Sequence, residues 1–319
     1  MDSFDLRELR YFVAVAEELN FSRAAQRLGM AQPPLSRAIR QLERKLGVEL
    51  LIRNTHSAEL TDSGRVLLEQ GSLVLDAAAA ADRLTRRAAV REQKLLVALT
   101  PDADGGLLKR ILDLYHADSV VPAEVRVTGW GAPEQMVRDG RADVAIVRTP
   151  TRRSGLHLEP LLAEPRLAVL AEGHPLADKD RLTRADLAAE VFPEWEGADD
   201  FARAYWSGKD AEAYEWDPEH PLPGPAGAPA PGRARTSPVI SDLHQLFTVV
   251  AFGQAVALLP QSIVADRAPG DVVARPVDGL SASTVSVAWL EASTSKTVAA
   301  FLKAAMKVAE DGKGTGPEE

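Results

Sequence analysis

Side chains that recognise phosphates and bases are concentrated in one short stretch near the start of the chain. Lysine and arginine neutralise phosphates, while arginine, glutamine and serine also hydrogen-bond to the edges of bases. Between Arg23 and Arg53 the chain carries seven basic and only two acidic residues, although its overall formal charge is -9. This distribution predicts a DNA-binding surface at this end and an acidic remainder that stays off the DNA. The expected DNA contacts are Ser22, Arg23, Gln32, Pro33, Ser36, Arg37, Arg40 and Arg53.

Two helices joined by a tight turn are expected to position these residues. Ser22 is a suitable N-cap for the first helix, and Gly29 can end it with a positive φ. The run Gln32-Pro33-Pro34 predicts the start of the second helix, because the first turn tolerates proline. That helix ends at Gly47 and has a regular apolar stripe, formed by Leu35, Ile39, Leu42 and Leu46.

The segment VELLIRNTHSAELTDSG that follows Gly47 reads as a β-hairpin wing. Arg53 lies at its base and His56 near its tip. A small helical domain with a solvated basic face is the alternative interpretation. The helix spacing, the Gln-Pro helix start and the wing together favour DNA binding.

This N-terminal region resembles the winged helix-turn-helix of the LysR-type transcriptional regulators. The motifs that carry the resemblance are Leu9 to Phe12, FSRAA at 21–25, Gln32-Pro33, Leu35-Ser36-Arg37, Ile39, Leu42-Glu43, Leu46-Gly47, Leu60-Thr61 and Gly64. Two features depart from the family. Ala31 stands where members commonly have a capping Ser or Thr, and the wing sequence NTHSAE is less basic than usual.

The resemblance extends over nearly the whole chain and implies an α/β architecture. It implies a winged head, a long linker helix and a two-lobed effector domain similar to periplasmic binding proteins. It also implies a homotetramer, built as a dimer of dimers, that bends promoter DNA carrying an interrupted inverted repeat. A small-molecule effector bound between the lobes would then change the access of RNA polymerase.

The linker is predicted to be a helix that Thr61 caps and that begins at Asp62. A seam of small apolar residues repeats along it, at Val66, Leu73 and Ala80 with Ala77 and Leu84 alongside. Such a seam is typical of a short coiled coil and predicts dimerisation. A helix packed against its own effector domain is the alternative.

From Lys94 onward, short strands alternate with helices, which predicts a parallel sheet. The expected strands are LLVALT, AEVRVT, ADVAIV, RLAVLA, the region around Val191-Phe192, TSPVIS, AVALLP, DVVARPV and STVSVAWL. Two crossings between the lobes are expected, near Glu164-Pro165 and near Pro269-Asp271. The expected domains are the head at 1–61, the linker and dimerisation helix at 62–90, lobe 1 at 91–164 and 271–310, lobe 2 at 165–270, and a disordered tail at 311–319.

Ligands of open α/β sheets bind at the carboxyl ends of the strands, which selects a candidate effector site. Its residues are Thr100, Pro101, Asp102, Thr128, Arg148, Trp195 and Ser241. Thr100-Pro101-Asp102 is expected to open a helix whose free N–H groups can hold an anion, although Asp102 and Asp104 already occupy that positive end. Arg148 can clamp a carboxylate and Trp195 can stack on a ring. One hypothesis is an effector with an amine for Asp102 and an acid for Arg148.

Each of these effector residues also has a purely structural interpretation. Thr100 and Ser241 can be helix caps, Arg148 can pair with a surface acid, and Trp195 can belong to the core. Residues 215–235, dense in proline and glycine, depart from the family and cannot form a central strand. They can be a solvated insertion, a cap on the cleft or a contact with another subunit.

Catalysis, metals and membranes are not expected. The sequence has no cysteine, its six histidines are far apart, and it lacks nucleophile-elbow and phosphate-loop motifs. We therefore expect no enzyme, no metal and no cofactor. No run of about 18 apolar residues and no signal segment occur, which favours a cytoplasmic protein. A DNA-binding regulator with a vestigial, ligand-free body is the alternative function.

Overall fold

The computed structural model describes residues 4–53, 58–89, 94–129, 131–151, 155–210 and 236–313. Its head consists of three helices and a two-stranded antiparallel hairpin. These are α1 (Leu6–Glu18), α2 (Phe21–Arg27), α3 (Gln32–Leu46), β1 (Leu51–Arg53) and β2 (Ala58–Leu60). The predicted wing is therefore present, and its tip with His56 lies outside the described residues.

The head is held together by the apolar faces of α1 and α3. Leu35, Ile39 and Leu42 are fully buried and share one core with Phe12 of α1. The predicted stripe is thus confirmed, and α3 ends as expected at Gly47, whose φ is 73°.

The predicted cap of α2 is wrong. Asn20, not Ser22, is the N-cap, and its Oδ1 accepts the backbone N–H groups of Ser22 and Arg23, both at 3.0 Å. The helix begins at Phe21, so Ser22 already lies in its first turn, where a residue has helical dihedral angles and cannot act as the cap.

The linker is one 27-residue helix, α4 (Asp62–Ala88). The predicted cap is confirmed, because Thr61 Oγ1 accepts the Gly64 N–H at 2.9 Å. Gly64 is needed for a second reason. A Cβ at this position would lie 2.1 Å from the carbonyl oxygen of Leu50, so only glycine lets the helix pass this close to the wing.

The remaining chain alternates between strands and helices. In chain order these are β3 (Leu95–Leu99), α5 (Leu108–Asp118), β4 (Ala123–Val127), α6 (Ala132–Arg138), β5 (Val144–Arg148), β6 (Leu156–Glu164), β7 (Arg166–Ala171), β8 (Leu182–Thr183), β9 (Glu194–Trp195), α7 (Asp200–Trp206), β10 (Val239–Ile240), α8 (Leu243–Ala251), β11 (Ala257–Pro260), α9 (Gln261–Arg267), β12 (Val272–Asp278), β13 (Ser283–Leu290) and α10 (Lys296–Lys313).

Two separate sheets define the two lobes. The five-stranded sheet of lobe 1 has the order β4-β3-β5-β13-β6, with β4, β3 and β5 parallel and β13 antiparallel to its neighbours. The four-stranded sheet of lobe 2 has the order β11-β7-β12-β8, and β9 and β10 form a parallel pair beside it. This two-lobed α/β body agrees with the predicted fold class.

Three strands of the body differ from the sequence prediction, and one of them, the two-residue β8, was not predicted. The strand expected around Val191-Phe192 is instead β9 at Glu194–Trp195. The strand β6 was not predicted, because Glu159 and Pro160 interrupt its apolar pattern. Among the described strands it pairs only with β13, at the edge of the sheet, with a register irregularity opposite Pro160. An edge position is where a strand tolerates proline.

The second crossing between the lobes lies later than predicted. The chain leaves the first sheet at Pro165, between β6 and β7. It was expected to return near Pro269-Asp271, but β12 pairs with β7 of lobe 2 from Val272 to Pro276. The return therefore lies at 279–282. The sequence showed that β12 is a strand, whereas only its pairing shows to which lobe it belongs.

The ends of the described chain add two points. Helix α10 continues to Lys313, into the stretch predicted to be disordered, and 314–319 lie outside the described residues, as does the proline- and glycine-rich segment 215–235. Among the described residues, no helix has the length and apolar character needed to cross a membrane.

Candidate DNA-binding surface and inter-lobe cleft

One face of α3 carries a row of exposed polar side chains. Arg37, Arg40, Gln41 and Arg44 are exposed and follow the spacing that places residues on one side of a helix. With the start of the wing they line a groove of about 690 Å³. Glu43 and Glu49 also line it, so the groove is not uniformly positive.

Most of the predicted DNA contacts on α3 are accessible. Gln32 and Pro33 are exposed at its first turn, beside Arg37 and Arg40. Ser36 is half-buried, and its Oγ accepts a hydrogen bond from Arg40 Nη2 at 3.2 Å. The side chain of Arg53 lies outside the described part of the structure.

Several other basic residues of the head are held in ion pairs. Arg23 Nε lies 3.2 Å from Glu18 Oε2, and Lys45 Nζ lies 2.7 Å from the buried Glu8. By contrast, Arg37, Arg40 and Arg44 form no ion pair with a described residue. Three arginines that have no ion pair with a described residue therefore lie along one face of α3.

Gln41 and Arg44 were missed as candidate contacts. They lie four and seven residues after Arg37, so the helical repeat alone would have placed them on the same face. The missing cap at the start of α3 is confirmed, because Ala31 is its N-cap and makes no side-chain hydrogen bond there.

The effector candidates of lobe 1 lie together at one edge of its sheet. Thr100 follows β3 and Thr128 follows β4, and the Thr128 N–H donates to the carbonyl of Leu99 at 2.9 Å. Thr100 Oγ1 lies 3.4 Å from the carbonyl oxygen of Gly129, and Pro101 is exposed. The structure thus brings Thr100, Pro101 and Thr128 to one edge of the lobe 1 sheet.

Residues 101–106 form turns, and α5 begins only at Leu108. The expected helix start at Thr100-Pro101-Asp102 is therefore wrong. Asp104 Oδ2 accepts the Leu108 N–H at 3.1 Å, so an acidic side chain already occupies the helix start. An anion is not expected to bind there, because it would be repelled by this carboxylate.

Arg148 is buried in a polar network at the carboxyl end of β5. It forms an ion pair with Glu164, and its Nη1 also donates to Ser283 Oγ at 3.1 Å. Its Nε donates to the carbonyl of Ala103 at 3.2 Å. The partner is a buried acid rather than the surface acid considered above, and the guanidinium has protein partners throughout.

Asp102 also has a partner within the protein. Its Oδ1 accepts two hydrogen bonds from Arg267 of α9, from Nε at 3.1 Å and from Nη2 at 2.7 Å. An amine held by Asp102 and an acid held by Arg148 would therefore have to compete with the ion pairs that these residues already form.

The two effector candidates in lobe 2 are Trp195 and Ser241. Trp195 packs in the lobe core, with its ring 6.0 Å from that of Trp206. Ser241 is exposed, and it is Asp242 that caps α8, accepting the Gln245 N–H at 2.8 Å. Neither Thr100 nor Ser241 acts as a side-chain cap of the adjacent helix.

Tyr205 makes a contact between the lobes that the sequence did not suggest. Its hydroxyl lies 3.0 Å from Thr149 Oγ1, which joins α7 of lobe 2 to the end of β5 in lobe 1. Burial raises the pKa of this phenol, so the hydroxyl stays protonated and can donate to Thr149.

The described residues contain no group of three or more metal-binding side chains.

Residues 6–65 match the family described as bacterial regulatory helix-turn-helix protein, lysR family, and residues 88–211 and 218–310 match the LysR substrate binding domain. The chain belongs to the LysR family. The head and the two-lobed body described above correspond to these two matched regions.

Several curated LysR-family regulators are similar to the chain. The transcriptional regulator BudR of Raoultella terrigena is 32% identical over 307 residues, covering 94% of this chain and 99% of BudR. The Hca operon transcriptional activator HcaR of Escherichia coli is 35% identical over 59% of this chain and 64% of HcaR. The match to AlsR of Bacillus subtilis, at 37% identity, covers 58% of this chain and 62% of AlsR. For HcaR and AlsR, the chain thus spans under two thirds of the relative's length.

Solved LysR-family structures share the fold. A full-length BenM variant superposes with a TM-score of 0.54 and 24% identity, covering 99% of both chains. A cysteine variant of Corynebacterium glutamicum OxyR gives a TM-score of 0.51 at 22% identity, covering 98% of this chain and 99% of OxyR.

Proposed function

We propose that this LysR-family protein regulates transcription by binding promoter DNA, and that a small molecule bound between its lobes controls this binding. The observation that carries the proposal is the exposed basic face of α3, whose arginines have no ion pair with a described residue. The head that presents it is joined by one continuous helix to a two-lobed body. Arg37, together with Gln32, Pro33 and Ser36, would read base edges in the major groove, while Arg40, Arg44 and Arg53 would contact phosphates.

Dimerisation through α4 follows from an apolar stripe on its exposed side. The stripe consists of Val66, Val74, Ala77, Ala81 and Leu84. Two positions of the predicted seam face the chain's own body instead: Ala80 is buried beside Gly140, and Leu73 lies beside Gly155. The proposed dimer seam therefore lies on a different side of α4 from the seam predicted from the sequence.

A dimer of this kind would hold two α3 helices about one turn of DNA apart, or a multiple of it. We expect the operator to be an interrupted inverted repeat, bound by a dimer of dimers that alters promoter bending and the access of RNA polymerase. A cytoplasmic location follows from this role. The domain limits would be 1–61 for the head, 62–90 for the linker, 165–278 for lobe 2, and the flanking 91–164 and 279–310 for lobe 1.

Selection of bound fragments from the source genome, followed by sequencing, tests the DNA-binding proposal. We expect enrichment of inverted repeats, with loss of enrichment in an Arg37→Ala/Arg40→Ala variant. Enrichment that follows base composition alone would contradict sequence-specific regulation.

A thermal-shift screen with a metabolite panel tests effector control. A ligand that raises the melting temperature and changes DNA affinity supports it, since a ligand must favour one of two assemblies to act. The candidate contacts are Thr100, Pro101, Thr128 and Ser241. A body that binds no ligand while DNA binding persists would favour the alternative of a vestigial effector domain.

A further inference from the structure

Helix α9 of lobe 2 is attached to lobe 1 at both of its ends. It packs on β7 and β11 and so moves with lobe 2. Its first turn contacts Glu164 and Pro165, where the chain crosses between the lobes, and its last residue, Arg267, pairs with Asp102. The two attachments differ in burial and strength.

The attachment at the first turn of α9 is buried and multiple. The Ser262 N–H and hydroxyl donate to the two carboxylate oxygens of Glu164, both at 2.7 Å. Arg148 Nη2 adds a hydrogen bond to Ser262 Oγ at 3.3 Å. Because this cluster adjoins the crossing at Pro165, it is suited to act as a pivot that stays closed while the lobes rotate.

The attachment at the end of α9 is a single, solvent-accessible ion pair. The Arg267 side chain is 60% exposed and that of Asp102 is 25% exposed. Arg267 lies five positions after Ser262, or about 7.5 Å further along the helix axis. Opening of the lobes about the pivot would therefore separate Arg267 from Asp102 while leaving Ser262 in place.

Asp102 has a backbone conformation suited to this contact and unusual for its residue type. Its φ is 61°, a region that non-glycine residues adopt rarely and that Asp and Asn tolerate best. The turn that contains it is also fixed to lobe 1 by the hydrogen bond from Arg148 to Ala103. The carboxylate is thereby presented to lobe 2 from a fixed position.

We propose that Asp102 and Arg267 form an inter-lobe latch that favours the closed arrangement of the lobes. An exposed ion pair contributes little free energy, so loss of the latch should change the ratio of closed to open molecules about two- to five-fold. A weak latch suits regulation, because a ligand with a modest preference for one arrangement can override it. Only this regulatory consequence rests on the proposed effector control, since the latch itself is a statement about lobe geometry.

Inter-lobe distances measured by double electron–electron resonance test the latch in the full-length protein. The chain has no cysteine, so Ala117→Cys on α5 and His244→Cys on α8 would carry the only spin labels. Dilution with unlabelled chain removes distances between subunits. The variants are Asp102→Asn, which tolerates the positive φ, Arg267→Gln, and the two combined.

We expect each single variant to shift the distance distribution towards open lobes, and the double variant to shift it no further. Asp278→Asn is the matched control, because it breaks an exposed pair with Arg181 that lies wholly within lobe 2. Unchanged distances in both single variants, an equal shift in the control, or additive shifts in the double variant would each overturn the latch. The distance measurements do not depend on DNA binding. Failure of the latch is therefore distinguishable from failure of the proposed function.

Discussion

At the scale of single residues, the charged side chains of the head fall into two groups that the sequence does not separate. Arg23 and Lys45 are as basic as Arg37, yet they are paired with Glu18 and Glu8. Ion pairing of this kind depends on which helices pack together. Residue type therefore identified the basic region, whereas the tertiary structure showed which of its side chains form ion pairs.

Arg37→Ala should weaken operator binding by about 1–3 kcal/mol and relax the preference at one base position. Arg44→Ala, on the same face but further from the start of the helix, should weaken binding to all sequences and lower the salt dependence. Fluorescence anisotropy with operator and point-substituted duplexes at several salt concentrations separates the two effects. An equal loss on every duplex with Arg37→Ala would reassign that residue to a phosphate contact.

At the scale of elements, the linker helix and lobe 1 are joined by a compact contact around α6. Ala80 packs on Gly140, Gln135 Nε2 donates to Asp76 Oδ1 at 2.6 Å, and Arg83 pairs with Asp139. This contact ties lobe 1 to α4, the helix that begins beside the wing. It also explains why part of the predicted dimer seam is buried within the chain.

Gly140→Ala should destabilise this contact more than a positive φ alone would. The φ of Gly140 is 75°, and an added Cβ would lie 3.1 Å from the Cα of Ala80. Gly131→Ala is the control at the other end of α6, with a φ of 71° and nothing within 4 Å of the added atom. Each substitution carries a backbone cost of about 1 kcal/mol, so the difference between their unfolding free energies measures the close contact. Equal losses of unfolding free energy in the two variants would mean that α4 moves to accommodate the added Cβ without destabilising the protein.

Asp76 should make the linker contact sensitive to acid. Burial raises the pKa of Asp76 above its ordinary 3.8, and the hydrogen bond from Gln135 only partly opposes this. The folded state therefore binds the proton more tightly than the unfolded state does. Protonation of Asp76 therefore stabilises the folded protein. This stabilisation is fully present below pH 3.8, the ordinary pKa of the group, and is lost as the pH rises through the raised pKa.

Asp76→Asn keeps an acceptor for Gln135 and removes this titration. We expect the variant to be more stable than the native protein at neutral pH and to have a flatter dependence of unfolding free energy on pH in the acid range. Asp82→Asn, at an exposed position of α4, serves as the control. Parallel stability profiles for native protein and Asp76→Asn would contradict the assignment.

At the scale of the whole molecule, the proposed assembly depends on the outward face of α4. Val66 is 61% exposed, Val74 47% and Leu84 44%, which leaves an apolar stripe open to solvent in a single chain. Such a stripe on a long helix is favourable when a second helix covers it. The head, with its uncapped α3, would then gain affinity mainly from being paired.

Val74→Glu should dissociate the dimer and reduce binding to a full inverted repeat much more than binding to a half-site. A buried charge opposes the helix contact, whereas each head remains intact. Sedimentation velocity with both duplexes provides the measurement, and Glu69→Lys, an exposed charge change outside the stripe, is the control. Retention of the dimer by Val74→Glu would place the interface elsewhere.

The sequence by itself determined the family, the winged head, the linker helix and most strands of the body. These features arise from local patterns, such as the stripe that ends at Gly47 and the cap at Thr61, which act over one or two helical turns. The edge strand β6 and the true cap at Asn20 were missed, because their local signals are weak or ambiguous.

Only the tertiary structure decided which side chains meet across the fold. It placed β12 in lobe 2, paired Arg148 with Glu164, and brought Asp102 to Arg267, 165 residues away along the chain. Strand partners and ion pairs between distant segments depend on how two lobes close on each other, and no local periodicity encodes that. The exposed basic face of α3 could thus largely be predicted from the sequence, whereas the contacts between the lobes could not.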